Sequence, residues 1–367
     1  RSNDYTGLGD WVANKERLPF GIKGLADRIE EMGMKFGLWF EPEMVNKDSD
    51  LYRAHPDWIL HAPQRASCHG RNQYVLDFSR KEVVDCIYDM MYKILSESKI
   101  SYIKWDMNRS ITECYSVALP ADRQGEVFHR YILGVYDLYE RLTTAFPQIL
   151  FESCASGGGR FDPGMLYYAP QGWISDDTDA AERVRIQYGT SMCYPISSMG
   201  SHVSVVPNHQ LNRITSLHTR ANVAYFGTFG YELDLNKLTD EEIAEVKAQI
   251  IFMKEYRELI QFGNFYRLKS PFDGNETVWM TVSEDKRKAL VFWYRERNVV
   301  NAEFTRVRLQ GLDPDLIYKN EYNGTENYGD ELMNLGLLTT DVTAGEPTNE
   351  DLPCTDYESR IYVLTAE

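Results

Sequence analysis

The 367-residue chain has no pair of cysteines at C-x-x-C spacing; Cys68, Cys86, Cys114, Cys154, Cys193 and Cys354 are scattered singly. A chain of this length needs no disulfide framework to hold a core, so the six read as reduced thiols. No apolar run approaches the roughly 18 residues that a membrane-crossing helix requires, so nothing here reads as a membrane span. Positive charge is also scarce. The 39 Lys and Arg face 55 Asp and Glu, a formal net charge of −16, which argues against nucleic acid and anionic membrane as partners. A neutral polyol suits such a chain better. Neither an initiator Met nor a signal-type apolar stretch opens the chain at Arg1-Ser2-Asn3-Asp4, so the natural N-terminus is expected to lie upstream. Metal and cofactor signatures are missing too. His202 and His209 are too isolated for a zinc motif. Asp176, Asp177 and Asp179 lack the later Gly and Glu of a regular calcium loop. Gly157-Gly158-Gly159-Arg160 lacks the Gly-Lys-Ser/Thr of a phosphate loop. We expect no catalytic metal and no cofactor.

What the chain does have is a repeated alternation of helical and strand patterns. Ile22, Leu25, Ile29 and Met32 recur at helical spacing before the apolar run Phe36–Phe40. Gln73–Phe78 is a second extended run, and Ser79-Arg80-Lys81-Glu82 has the spacing of a capping box that opens an amphipathic helix. A strand ending at Asp106 follows. A helix from about Glu126 to Phe146, stopped by Pro147, then leads into the strand Ile149–Ser153. Trp173–Ser175, a helix near Ala181–Tyr188 and a short segment at His202–Ser204 continue the pattern. Alternation of this kind predicts a parallel sheet. The polar residues Glu41, Asp106, Glu152 and Asp176 fall just after strands, where a closed (β/α)8-type TIM barrel places its active site. A second capping box at Thr239–Glu242 opens a helix to about Leu259. Beyond it the segments Thr277–Val282, Ala289–Tyr294, Phe304–Leu309 and Arg360–Leu364 are short and β-rich. We therefore expect an α/β chain with a barrel-type catalytic domain over residues 1–261 and an antiparallel β-sandwich domain over residues 262–367.

Two aspartates carry the chemistry. Asp106 and Asp176 each follow an apolar run that reads as a buried strand, where a carboxylate is costly to place. Cleavage of a glycosidic bond with retention needs one carboxylate as nucleophile and a second carboxyl group as acid and then base, about 5 to 5.5 Å apart. Lys104 and Arg109 flank Asp106, and their positive charge favours the ionised form a nucleophile needs. Trp173 and Asp177 flank Asp176, and apolar contact with like charge favours the protonated form of a general acid. Strand-end aspartates also cap helices, but two in one chain favour catalysis. The 7 Trp, 24 Tyr and 16 Phe supply aromatic faces for sugar C–H surfaces, although most belong in a core.

Four blocks of sequence resemble, in order, the signature blocks of glycoside hydrolase family 36, the bacterial α-galactosidases. They are Gly37-Leu38-Trp39-Phe40-Glu41-Pro42-Glu43-Met44, Lys104-Trp105-Asp106-Met107-Asn108-Arg109, Phe151-Glu152-Ser153-Cys154-Ala155-Ser156-Gly157-Gly158-Gly159-Arg160 and Trp173-Ile174-Ser175-Asp176-Asp177-Thr178-Asp179. The resemblance implies that Asp106 is the nucleophile and Asp176 the acid/base. It assigns Trp39 as an aromatic wall for galactose, and Arg71 and Lys104 as donors to sugar hydroxyls. Asn108, Cys154 and Gly157 would surround the 2-hydroxyl, with Trp173 near the acid/base. The enzyme it implies is a retaining α-galactosidase acting on raffinose-type oligosaccharides, cytoplasmic and homotetrameric at full length.

The family also carries an Asp-Asp-Gly-Trp block that would lie shortly before Arg1. Its absence, with that of two barrel strands and an N-terminal β domain, implies the C-terminal part of a longer enzyme. Such a piece is expected to expose strand edges and to be poorly active alone. Two rival readings keep the blocks: a galactosyltransferase like plant raffinose synthases, and a catalytically inactive carbohydrate-binding homologue, against which the presence of both aspartates argues. Specificity for α-N-acetylgalactosamine is disfavoured, because Cys154 and Gly157 match a plain 2-hydroxyl.

Overall fold

The structure is a computed structural model that describes residues 3–299, 304–339 and 356–366. It falls into two compact units, Arg1–Trp173 and Ile174–Glu367.

The first unit runs α1 (Gly21–Glu31), β1 (Gly37–Phe40), β2 (Met44–Val45), α2 (Asp50–Ala54), β3 (Tyr74–Val75), α3 (Lys81–Glu97), β4 (Tyr102–Trp105), α4 (Val127–Ala145), β5 (Leu150–Ser153), α5 (Pro163–Tyr168) and β6 (Gln171–Trp173). Strands β1, β4, β5 and β6 are parallel neighbours in that order, joined by the long crossovers that parallel pairing demands. Alternation along β4 divides the two faces of the sheet. Ile103 and Trp105 are buried with Val83, Ile87 and Met91 of α3 and with Val135, Leu138 and Leu142 of α4. The Trp105 ring stacks on Tyr139 at 4.0 Å. The opposite face carries a polar row, because the register aligns Trp39, Lys104, Glu152 and Gln171 across the four strands. A one-residue slip would bury that row among the helices, so the apolar face fixes the register.

The extended run at Gln73–Phe78 holds β3, which pairs antiparallel with β2 and stands outside the parallel sheet. One local expectation fails. The capping box at Ser79–Glu82 does not form. α3 begins after Arg80 with no side-chain cap, because the buried Asp77 carboxylate takes the Ser79 hydroxyl at 2.5 Å. A buried charge needs its donors more than a helix end open to water does.

The second unit begins with α6 (Ala180–Ser191), β7 (Met199–Ser204), α7 (Leu217–Ala224), β8 (Thr228–Glu232) and α8 (Asp240–Phe262), and β7 pairs parallel with β8. The Thr239 capping box forms as its spacing predicts. There follow β9 (Asn264–Lys269), β10 (Glu276–Val282), β11 (Lys288–Arg295), β12 (Arg306–Val307), β13 (Ile317–Asn320), β14 (Glu326–Tyr328), α9 (Gly329–Asn334), β15 (Leu337–Leu338) and β16 (Glu358–Ala366). Their main sheet has the order β14-β13-β16-β11-β10-β9 and is antiparallel. The strand expected at Phe304–Leu309 shrinks to β12, which among the described residues pairs with β15. Helices and sheet share buried chemistry. Thr219 Oγ1 donates to the Tyr357 carbonyl at 2.9 Å, and Asn222 Nδ2 to Ser359 Oγ at 3.0 Å. Trp279 stacks on Phe292 at 4.4 Å and meets Phe226 edge-on. Cys354 lies outside the described residues. Among the described residues, no helix is long and apolar enough to cross a membrane.

Candidate active site

Asp106 sits at the carboxyl end of β4, its backbone N–H donating to the Phe40 carbonyl at 2.8 Å so that the strand ladder reaches it. Its side chain is 7% exposed. Trp39 Nε1 donates to Oδ2 at 3.1 Å, Asn108 Nδ2 donates to the same oxygen at 2.7 Å, and the Met107 backbone N–H donates to Oδ1 at 2.8 Å. Three donors therefore satisfy one nearly buried carboxylate and fix its orientation. Asn108 is held in turn by the buried Glu41, which accepts its backbone N–H at 2.9 Å and Gln73 Nε2 at 2.7 Å.

Cys154 and Gly157 join this group from the loop after β5. Cys154 is buried and its backbone N–H donates to the Trp105 carbonyl at 2.7 Å. Burial, and then the negative charge of Asp106, push its thiol well above the ordinary range, so it remains S–H and donates to Asp106. Gly157 takes φ +82, a left-handed backbone where glycine is favoured, after Ser156 at φ +48. The loop closes through the Ala155 N–H on the Gly157 carbonyl at 2.9 Å.

Lys104 and Arg109 do not serve Asp106 in the way their sequence positions imply. Lys104 projects from the polar row, with Nζ 3.1 Å from Glu152 Oε1 and 4.6 Å over the Trp173 ring. Its register partner on β5 is Glu152 itself, so the carboxylate opposite it takes the charge. Glu152 is 1% exposed and also accepts from the Tyr102 hydroxyl and from Gln171 Nε2 at 2.8 Å. The Arg109 guanidinium turns to backbone carbonyls of another loop. The hydrogen bonds on Asp106 come instead from Trp39, Asn108 and Met107.

Arg71 lies on a separate turn, exposed, at φ +52. Asp176 belongs to the second unit, in the loop before α6, and is exposed, which differs from the apolar seat its neighbours suggested. Asp177 Oδ1 accepts the Asp179 N–H at 3.0 Å, and Asp179 caps α6 through the Ala181 and Glu182 amides. Asp177 and Asp179 therefore have local structural duties. His202, within β7, has Nδ1 3.4 Å from Glu232 Oε2.

One cluster has no local signature in the sequence. Glu43, fully buried, accepts from Trp105 Nε1 at 2.8 Å, from the Tyr131 hydroxyl at 2.5 Å and from Arg160 Nη1 and Nη2 at 2.9 and 2.8 Å. It anchors the residue immediately before Asp106. Glu43 and Arg160 both stand in the quoted blocks, but no spacing rule joins residues so far apart.

Residues 1–263 match the family model described as Melibiase, and residues 276–364 match the glycosyl hydrolase family 36 C-terminal domain. The chain belongs to glycosyl hydrolase family 36. Alpha-galactosidase AgaA of Geobacillus stearothermophilus is 55% identical over 337 residues, covering 92% of this chain and 46% of that protein. Alpha-galactosidase Mel36A of Lactobacillus acidophilus is 52% identical over the same share of each. The crystal structure of AgaA superposes with a TM-score of 0.94 at 51% identity, covering 100% of this chain and 49% of that one. Variants of AgaA have also been crystallised with raffinose and with stachyose. This family 36 chain spans about half the length of the curated relatives it matches. Its fold class is α/β, with the strands and helices of a partial (β/α)8-type barrel followed by an antiparallel β domain.

Proposed function

We propose that the protein carrying this chain is a retaining α-galactosidase that releases terminal α-linked galactose from raffinose-type oligosaccharides by double displacement. The observation that carries the proposal is the Asp106 carboxylate, held by Trp39, Asn108 and Met107 at the end of a parallel strand. Asp106 attacks the anomeric carbon while Asp176 protonates the departing glycosidic oxygen. Water, deprotonated by Asp176, then releases galactose and frees Asp106. Trp39 walls the sugar ring, Arg71 and Lys104 donate to its hydroxyls, and Asn108, Cys154 and Gly157 enclose the 2-hydroxyl. Trp173 shields the acid/base. The names of the relatives and the raffinose complex of an AgaA variant support the substrate class.

The catalytic domain is proposed to span residues 1–261 and the β-sandwich domain 262–367, a division supported by family matches that end at 263 and resume at 276. The charge of −16 supports a neutral sugar rather than nucleic acid as partner. Five free cysteines among the described residues support a reducing, cytoplasmic location. A homotetramer is the proposed assembly of the intact protein, on family resemblance.

Asp106→Gly in the intact protein should lower kcat on raffinose by at least about four orders of magnitude. Sodium azide should then restore turnover and yield β-galactosyl azide, because azide attacks from the face the carboxylate occupied. Full activity in the variant, or rescue giving only the α-azide, would remove Asp106 from the nucleophile's role. Analysis of products with and without excess sucrose separates hydrolysis, which gives free galactose, from transfer, which gives longer sugars.

A further inference from the structure

Several hydrogen bonds join the Arg109 loop to the Gly70–Gln73 turn and the residues before it. Gly70 and Gln73 exchange backbone hydrogen bonds, Gln73 N–H to the Gly70 carbonyl at 2.9 Å and the reverse at 3.3 Å. The two residues between them are both left-handed, Arg71 at φ +52 and Asn72 at φ +60. That is the backbone of a type I′ turn, whose usual occupants are Asn and Gly. Arginine there is strained by about 1–3 kcal/mol and needs surroundings that enforce it.

Those surroundings are specific. Arg109 Nη1 donates to the Cys68 carbonyl at 2.9 Å and to the Gln73 carbonyl at 2.8 Å. Its Nε donates to the Ser110 carbonyl at 3.0 Å, and Nη2 to Thr112 Oγ1 at 2.7 Å. One planar guanidinium therefore bridges both ends of the turn and its own loop. The Cys68 N–H donates to Glu113 Oε2 at 3.2 Å, so the same residue is gripped through both its backbone groups. On the far side the fully buried Asn46 donates Nδ2 to the Asn72 carbonyl at 2.8 Å. Glu41 accepts from both Gln73 Nε2 and the Asn108 N–H, which ties the turn directly to the residue that bonds Asp106. At the tip, the Arg71 guanidinium is exposed and makes no hydrogen bond among the described residues.

We propose that Arg109 is a positioning residue that locks the turn carrying Arg71 to the loop following Asp106, so that Arg71 meets a sugar hydroxyl from an already fixed backbone. This rests on the reading of Arg71 as a sugar-binding residue. Preorganisation lowers the ordering cost of binding and leaves the chemical step alone. Lysine cannot substitute, since a single ammonium lacks the fork that reaches several acceptors in fixed directions.

The test combines kinetics and hydrogen exchange in the intact protein. Arg71→Ala and Arg109→Met should each raise KM for raffinose about tenfold with kcat within twofold, and the double variant should match the single ones, because both remove the same contact. Exchange at the Gly70 and Gln73 amides should quicken at least tenfold in Arg109→Met and remain as in wild type in Arg71→Ala. Arg109→Lys, which retains the charge and one donor, keeps the test open if Arg109→Met folds poorly, and should share its KM. Additive effects of Arg71→Ala and Arg109→Met on KM, or unchanged exchange in Arg109→Met, would overturn the positioning role while leaving the enzyme reading intact. An intact protein that neither turns over raffinose nor binds galactose would overturn both together.

Discussion

The clearest quantitative expectation concerns the Glu43–Arg160 pair beneath the site. Arg160→Met removes two of the four hydrogen bonds on a carboxylate with no solvent exposure, leaving only Trp105 Nε1 and the Tyr131 hydroxyl. Burial opposes the Arg160 charge, yet the Glu43 carboxylate outweighs it, and the guanidinium is held more firmly protonated than usual. Two charge-assisted bonds at about 1.5–3 kcal/mol each give a loss of roughly 3–6 kcal/mol. Breaking a buried ion pair from one side is independently put at about 3–5 kcal/mol. The expected loss is therefore about 4 kcal/mol, a large part of the roughly 5–15 kcal/mol that holds an ordinary domain. Urea unfolding followed by circular dichroism should show it, with hydrogen exchange at the β4 amides localising the change to the first unit. Glu43→Gln in the Arg160→Met background should recover about 2 kcal/mol, because the glutamine oxygen still accepts from Trp105 and Tyr131 and no buried charge is stranded. A loss below about 1 kcal/mol for Arg160→Met, or strict additivity of the two substitutions, would refute the reasoning.

Other expectations are more local. Burial pushes the Tyr131 and Tyr139 phenols well above their ordinary range, with the Glu43 charge adding to the effect at Tyr131. The folded state then keeps protons that the unfolded chain loses above about pH 10, so stability is intact below that value and falls by about 1.4 kcal/mol per pH unit per phenol above it. Tyr139→Phe should remove one phenol's share of that slope in urea titrations between pH 10 and 11.5; an unchanged slope would exclude Tyr139. The exposed Cys68 and Cys193 should react with a thiol reagent in native protein, while Cys154, buried and with its thiol pushed up, should react only on unfolding. Rapid native labelling of Cys154, read by mass spectrometry, would contradict its placement. Glu152→Gln deletes the charge opposite Lys104 and should raise KM for raffinose about tenfold, with Glu152→Asp restoring part of it; equal KM in all three forms would show that Lys104 needs no partner.

Sequence patterns located most elements but misjudged several of their surroundings. The helices α3 and α4 and the strands β4, β5, β10, β11 and β16 follow from apolar periodicity and turn residues, which are local properties. Ser79 shows the limit of such rules. Its spacing to Glu82 is that of a capping box, but a buried carboxylate two residues earlier competes successfully for its hydroxyl. The partners of charged residues were the least legible. Lys104 stands two residues before Asp106, on the same face of the strand, yet its ammonium pairs with Glu152 across the register, and Arg109 turns to backbone carbonyls.

By itself the sequence determined the family, the alternation of helix and strand, and the placement of Asp106 at a strand end, because each is written in contiguous residues. Only the tertiary structure decided which groups face one another. It set Trp39, Asn108 and Cys154 on Asp106, Glu152 against Lys104, Glu43 under Trp105, and Arg109 on the turn of Arg71. The physical reason is that strand register and loop closure bring together residues tens of positions apart, and no local spacing encodes which of the available donors a buried carboxylate will take.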